Sequence, residues 1–359
     1  MKVILLSKLR ALGDTALLSA TLGETRRLHP YDEIHLLVPE QWKDLYAHDP
    51  RLTRLWTFDT RLTGFRRLKA FFELASTLRH LDVDISLACH ASPTSSWLGF
   101  LSHAQVRAHH NHNFFEENKL GNLEIPEKEK LKPFIQRDLA VLQALELKSE
   151  QKVNLQAESA LFISSEQRNW AKAEIAKRKL QTPVLGLGLG ASRATKIWPM
   201  AYFAQVSRAW NLKTGGSVVA MVSAKERQFS SEWKKTLASD SFYVADHYAV
   251  GEMMAMLSEM SVFLGNDSGP RHLAAALKVP TVTLYGPQDP FECHPYDVKK
   301  HPYFFINNLV CRTNTDPEGL HRWCGIRECV VEEHKCMKDL SFEPVLQSCL
   351  AFVPAFLRK

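Results

Sequence analysis

Unbroken apolar runs alternate along this chain with segments whose apolar residues recur every three or four positions. The first run, "KVILLS", predicts a strand buried on both faces of a parallel sheet. A loop, "LRALGD", follows it. Then come "TALLSATLGETRRL" with helical spacing and a second run, "EIHLLVP". That order predicts a β-α-β unit from the first residues onward. "RLTRLWTFD" and "DVDISLACH" predict two more strands, and "RRLKAFFELASTLRHL" between them predicts an amphipathic helix rich in cations. "AQVRAHH" predicts a short strand, and Ile125–Leu147 a helix that ends the first half.

"KVNLQAESALFISSEQ" is polar, lacks a period and predicts a linker. A charged helix, "EQRNWAKAEIAKRKL", leads into a second α/β series. It runs through the strand "PVLGLGLGAS", the helix "PMAYFAQVSRAWNLK", the strand "GSVVAMVS" and the helices "KERQFSSEWKKTLA" and "VGEMMAMLSEM". "SVFLGND" and "TVTLYG" predict strands flanking one more helix, and Phe342–Phe356 predicts a last one. A chain of 359 residues exceeds one ordinary core. The expected organisation is an α/β domain over 1–160, a second over 161–340, and a helix in 341–359 able to pack back on the first domain. Two such halves imply a ligand cleft between them.

Composition changes this picture little. Hydrophobic residues make up 45% and charged residues 23%, an ordinary globular profile without a membrane-length apolar run. The start, "MKVILLSKLRALGD", lacks the pattern of a signal peptide, so the expected location is the cytoplasm. A formal charge of +6 suits an acidic substrate or an anionic membrane face and is too mild for nucleic acid. Seven Cys are present, four of them (Cys311, Cys324, Cys329 and Cys336) within 26 residues. Such a cluster suits either a structural zinc or reduced thiols in a packed loop, and its spacing matches no standard zinc motif.

Three loops carry candidate chemistry. "GNDSGPRHLAAALKVPTVTLYG" places its polar, irregular residues between an apolar strand and a helix. Asp267 or Ser268 can cap that helix, Pro270 fits its first turn and Gly269 lets a ligand approach the backbone. The free amides and the helix dipole then favour a phosphate, to which His272 can donate. The alternative is a well-capped helix with no ligand. In "GLGLGASRATKIWP" the glycines are spaced G-x-G-x-G, not G-x-G-x-x-G, which disfavours a nicotinamide dehydrogenase. Ser192, Arg193, Thr195 and Lys196 suit a diphosphate at the end of a strand, or form a solvated loop. In "LRALGDTALLSA", Asp14 either caps its helix or serves as a general base.

Taken in order, "KVILLSKLRALGDTALLSATL", "GASRATKIWP" and "GNDSGPRHLAAALKVPTVTLYGPQDP" resemble glycosyltransferase family 9, the ADP-heptose:lipopolysaccharide heptosyltransferases. The resemblance implies a GT-B fold of two Rossmann-like domains with an interdomain cleft, and inverting chemistry without a catalytic metal. It implies ADP-heptose as donor and a lipopolysaccharide core or lipid A precursor as acceptor, met at the inner face of the inner membrane. Position by position, it implies Asp14 as catalytic base and Lys196 on the diphosphate. Ser192, Arg193 and Thr195 stand at its hydroxyl-bearing loop, though an Arg at 193 departs from the family pattern. Glu226 lies near its nucleotide-side acid. Asp267, Ser268, Gly269 and His272 match its D-[ST]-G-x-x-H motif. Lys8, Arg10, Arg66 and Arg67 are the cations expected to meet an anionic acceptor. The helix around Arg66 and Arg67 either faces that acceptor and the membrane or packs its aromatic residues into the first domain. Two other readings stay open: a GT-B transferase using a different nucleotide sugar, and a non-catalytic nucleotide-binding module.

Overall fold

The computed structural model describes residues 1–110, 120–123, 125, 133–146, 152–222, 226–236, 241–315, 319, 322–331 and 333–358. They fall into two compact units, Met1–Phe162 and Ile163–Lys359.

The first unit runs β1 (Val3–Ser7), α1 (Leu12–Leu28), β2 (Glu33–Pro39), β3 (Arg54–Phe58), α2 (Gly64–Arg79), β4 (Ile85–Ala88), α3 (Pro93–Leu101), β5 (Val106–His109) and α4 (Phe134–Glu146). Its strands form one parallel sheet in the order β3-β2-β1-β4-β5. The unbroken apolar run of β1 is explained by its central place. Leu6 stands in register with Leu36 on one side and Leu87 on the other, and all three are fully buried. Truncating Leu6 to Ala would cost about 2–5 kcal/mol through lost transfer energy and a cavity. Of the helix expected over Ile125–Leu147, Phe134–Glu146 is α4, and 126–132 lie outside the described residues.

The expected linker belongs to this unit as far as Phe162. Arg51 Nη2 donates to the Ala160 carbonyl at 2.8 Å, Ser19 Oγ accepts from the Ala160 amide at 3.1 Å, and Glu24 Oε1 accepts from the Asn154 amide at 2.6 Å. Polar side chains of the domain body thus satisfy the backbone of a stretch that forms no ladder of its own.

The second unit begins with α5 (Ser165–Lys177), capped by Ser164 and Gln167 in a reciprocal box. It continues through β6 (Leu185–Gly188), α6 (Met200–Thr214), β7 (Val218–Met221), α7 (Arg227–Thr236), β8 (Phe242–Ala245), α8 (Val250–Ser258), β9 (Val262–Asn266), α9 (Gly269–Ala276) and β10 (Thr281–Tyr285). Short elements follow: α10 (Pro290–Cys293), β11 (Tyr303–Phe305), β12 (Asn314–Thr315), β13 (Arg322–Trp323) and α11 (Lys335–Lys338), before the last helix, α12 (Phe342–Leu350). Six strands form a parallel sheet in the order β11-β10-β9-β6-β7-β8. The terminal helix, expected to be free to return to the first domain, buries Val345, Leu346, Cys349 and Leu350 in the core of the second unit and packs on α6, β9 and β10. Its apolar stripe is used there.

Candidate functional site

In an open parallel sheet the loops at the carboxyl ends of the strands diverge where the strand order reverses, and a crevice opens there. The second sheet reverses between β6 and β9, neighbours in register through Gly188 and Gly265. The loops leaving these strands are the two that carry "ASRATK" and "DSGPRH".

Asn266, the last residue of β9, is fully buried and ties the two loops together. Its Oδ1 accepts from the Trp198 amide at 3.0 Å, and its Nδ2 donates to the Leu189 carbonyl at 2.8 Å. Beside it Lys196 Nζ lies 2.5 Å from Asp267 Oδ2, and Arg271 Nη2 lies 2.7 Å from Asp267 Oδ1. Burial alone would raise the Asp267 carboxyl. Arg271 and Lys196 outweigh it and hold the group well below the usual carboxylate range. Asp267 is therefore a carboxylate shared by two cations, leaving the trio one net positive charge at the N-terminus of α9. The Ser268 hydroxyl is buried there without a hydrogen-bond partner among the described residues. His272 is also buried, with Nδ1 2.5 Å from the Tyr296 hydroxyl. Burial, then the Arg271 cation, pushes its pKa well below the ordinary histidine value, so it is neutral. The arrangement can hold an anion by fixed cations and a helix N-terminus without a metal.

The glycines of β6 and of the loop just after it have a packing reason. A Cβ on Gly188 would come within 2.7 Å of the Phe263 ring, and one on Gly190 within 1.3 Å of Glu226 Oε1. Glu226 thus reaches the carboxyl end of β6, beside the same loop.

Two residues expected at the donor also make hydrogen bonds inside the unit. Arg193 Nη1 donates to the Gly325 carbonyl at 2.9 Å, and the Thr195 hydroxyl to that of Ile326 at 3.2 Å. Both hold the cysteine-bearing loop, and Thr195 is buried. Ser192 is exposed.

Among the described residues that loop shows no metal-ligand cage. Cys311, Cys324, Cys329 and Cys336 all line one cavity and all are free thiols. Yet among the described residues no three His, Cys, Asp or Glu side chains are placed to hold a metal ion. Burial pushes the Cys336 thiol up to about 12, which keeps it protonated. The same cavity is lined by Arg312, 1% exposed, whose guanidinium stacks 4.1 Å from the Phe305 ring centroid with no hydrogen-bond partner among the described residues.

The first sheet reverses between β1 and β4. Asp14 stands in the first turn of α1, just beyond the end of β1, where the helix dipole favours its charge. Its side chain is 26% exposed and lies 3.5 Å from Arg10. Arg10 is thus a neighbour of the candidate base. Lys8 does not present its cation to solvent as expected. It is 4% exposed and bonded to Asp138 of α4. Burial raises the Asp138 carboxyl to about 6, against the pull of Lys8. Arg67 is likewise committed, donating to Thr94 Oγ1 at 3.1 Å and lying over the Phe58 ring. Arg66 is exposed.

Arg271, Asn266, Tyr296 and Asp138 belong to these sites and were not singled out from the sequence. Only Arg271 carries a local signal, standing in the first turn of α9 four residues after Asp267, which precedes that helix.

Known proteins can be set beside this geometry. The chain is 28% identical over 184 residues to lipooligosaccharide heptosyltransferase 2 of Campylobacter jejuni, a match covering 48% of this chain and 54% of that protein. The chain thus spans about half the length of that relative. It is 22% identical over 326 residues to lipooligosaccharide heptosyltransferase 2 of Haemophilus ducreyi, covering 86% of this chain and 91% of that one. In fold it is similar to the crystal structure of a family 9 glycosyl transferase from Veillonella parvula, at a TM-score of 0.74 and 22% identity over 84% of this chain and 85% of that chain. It is similar also to E. coli ADP-heptose lps heptosyltransferase II, at a TM-score of 0.75 and 18% identity over 98% of each chain. Both likenesses are to proteins of the GT-B architecture, two Rossmann-like units. The sequence pattern of glycosyltransferase family 9 (heptosyltransferase) matches residues 71–320, well over half of the chain, and the chain belongs to that family.

Proposed function

We propose that this protein transfers a heptose from ADP-heptose to a lipopolysaccharide core acceptor, with inversion and without a catalytic metal. The observation that carries the reading is the Lys196–Asp267–Arg271 trio at the N-terminus of α9, a net positive site where the second sheet reverses. Three of the relatives named above supply the donor and acceptor class: one carries ADP-heptose and lps in its name, and two carry lipooligosaccharide.

The chemistry balances as a single displacement. The acceptor oxygen forms a bond to the anomeric carbon while the bond from that carbon to the diphosphate oxygen breaks, and the electron pair leaves with ADP. Asp14 accepts the acceptor's proton. Lys196 and the α9 amides take up the charge that grows on the diphosphate, the role a divalent ion plays elsewhere. Asp267 does not touch the phosphates in this scheme. It fixes Lys196 and Arg271 in place. Glu226 and Ser192 border the nucleotide. Arg66, exposed, and Arg10, 55% exposed, are the expected cations that remain open to an anionic acceptor on the cytoplasmic face of the membrane.

Protection against thermal unfolding by a panel of nucleotides tests the reading. ADP and ADP-heptose should raise the unfolding midpoint, and UDP, GDP and NAD should not. Protection by UDP or GDP in place of ADP would replace the donor, and protection by none would remove the nucleotide site.

A further inference from the structure

We propose that the outer face of α2 and α3 is a docking surface for an anionic lipid bilayer. The connections β3-α2-β4 and β4-α3-β5 step in the same direction across the sheet, so right-handed crossovers place both helices on one face. Arg67, bonded to Thr94, ties their first turns together.

The α2 helix has two apolar sectors. Phe71, Leu74, Ala75 and Leu78 pack into the core. Phe65, Leu68 and Phe72, spaced three and four residues apart, form a second stripe that is 80%, 56% and 61% exposed. On α3, Trp97 and Phe100 are 47% and 40% exposed and meet edge to face. These five side chains lie outside the core that Phe71, Leu74, Ala75 and Leu78 enter. Cations stand among them. α2 carries Arg66, Arg67, Lys69 and Arg79 against the single acid Glu73, and Arg107 lies over the Phe100 ring. Aromatic side chains with interleaved Arg and Lys match the interface of an anionic bilayer, where rings enter the headgroup layer and cations meet phosphates. A second copy fits worse, because a two-fold contact through this stripe would bring its cations against themselves.

The stripe begins in the first turn of α2, at the carboxyl edge of the sheet where Asp14 also stands. Docking this face would bring that edge down to an acceptor embedded in the leaflet. This refinement rests on the proposed function only for the acceptor; the contact itself is read without substrate.

The test is vesicle flotation of the full chain and of the Phe65→Ser/Phe72→Ser variant, on phosphatidylethanolamine vesicles with and without phosphatidylglycerol. Both residues are exposed, so the variant should keep the wild-type unfolding midpoint. Wild type should bind the phosphatidylglycerol vesicles and largely lose them at high salt. The double variant should bind about tenfold more weakly or worse, while its transfer to a de-acylated, water-soluble acceptor stays at wild-type rate. Equal vesicle binding by both proteins, or no binding by wild type, would overturn the proposal. So would a wild-type dimer that the double variant abolishes, since the stripe would then be a contact between copies. A protein that binds vesicles but transfers no heptose would refute the proposed function and leave this inference standing.

Discussion

Replacing Lys196 by Ala isolates the cation assigned to the leaving diphosphate. Its Nζ lies 2.5 Å from Asp267 Oδ2, with the two side chains 12% and 8% exposed. The direct loss is one charge-assisted hydrogen bond to the ligand, about 1.5–3 kcal/mol. That corresponds to a Kd for ADP weaker by roughly 10- to 150-fold. A second effect has the same sign. With Lys196 gone, Asp267 keeps only Arg271, the trio falls from one net positive charge to none, and an arriving diphosphate meets no excess of cation. Stability should suffer less than the roughly 3–5 kcal/mol expected when a fully buried ion pair loses a partner, because Arg271 Nη2 remains 2.7 Å from the carboxylate. Titration calorimetry with ADP and with adenosine separates the effects. Adenosine lacks the phosphates and should bind wild type and variant alike. Equal losses for both ligands would show Lys196 acting through the loop's structure, and an unchanged ADP affinity would remove it from the diphosphate altogether.

Asp14→Asn should lower turnover by about 10²-fold or more while leaving ADP affinity intact, because only the proton acceptor is lost; full activity in a transfer assay would end that assignment. Stability should also report on His109, 2% exposed, which burial and then Arg107 lower to a pKa of about 4. The folded form binds its proton less readily than the unfolded chain, so His109 stabilises the fold fully above about pH 6.5 and loses that contribution as pH falls toward 4, up to about 3 kcal/mol. Denaturant titrations across that window should show a shallower pH slope for His109→Gln than for wild type, and identical slopes would mean that the imidazole is solvated.

The elements legible in the sequence were those whose signal is local. Central strands such as β1 and β9 are short runs of mostly apolar residues because both of their faces are covered, and their length of five residues favours a strand over a buried helix. α3 carries ordinary start signals, Pro93 in its first turn and Ser92 accepting from the Ser95 amide. Its short, serine-rich body shows no clear helical period. β8 is a run of only four apolar residues, Phe242–Ala245, at the edge of its sheet, and its first two are half-buried.

At the site, residue type indicated chemistry and said little about who holds whom. The sequence marks Asp267 and Lys196, on two separate loops, as candidates to hold a phosphate. Their bond to each other across 71 residues leaves no such mark. Lys8 read as a free cation because its partner, Asp138, is 130 residues away. Arg193 and Thr195 have the donors a diphosphate wants, but backbone carbonyls of the cysteine loop compete for the same donors. The aromatic residues of α2 could face inward or outward by period alone, and only packing divides them, with Phe71 against the core and Phe65 and Phe72 outside it.

The measurement that bears most directly on the account is a transfer reaction in EDTA, with purified protein, ADP-heptose and a heptose-acceptor lipopolysaccharide core, followed by NMR of the new glycosidic linkage. The account predicts a heptosylated core and free ADP in equal amounts, at a rate indifferent to the chelator, with the anomeric configuration opposite to that of the donor. A retained configuration, a rate abolished by EDTA and restored by Mg²⁺, or transfer from a different sugar nucleotide with none from ADP-heptose would contradict it.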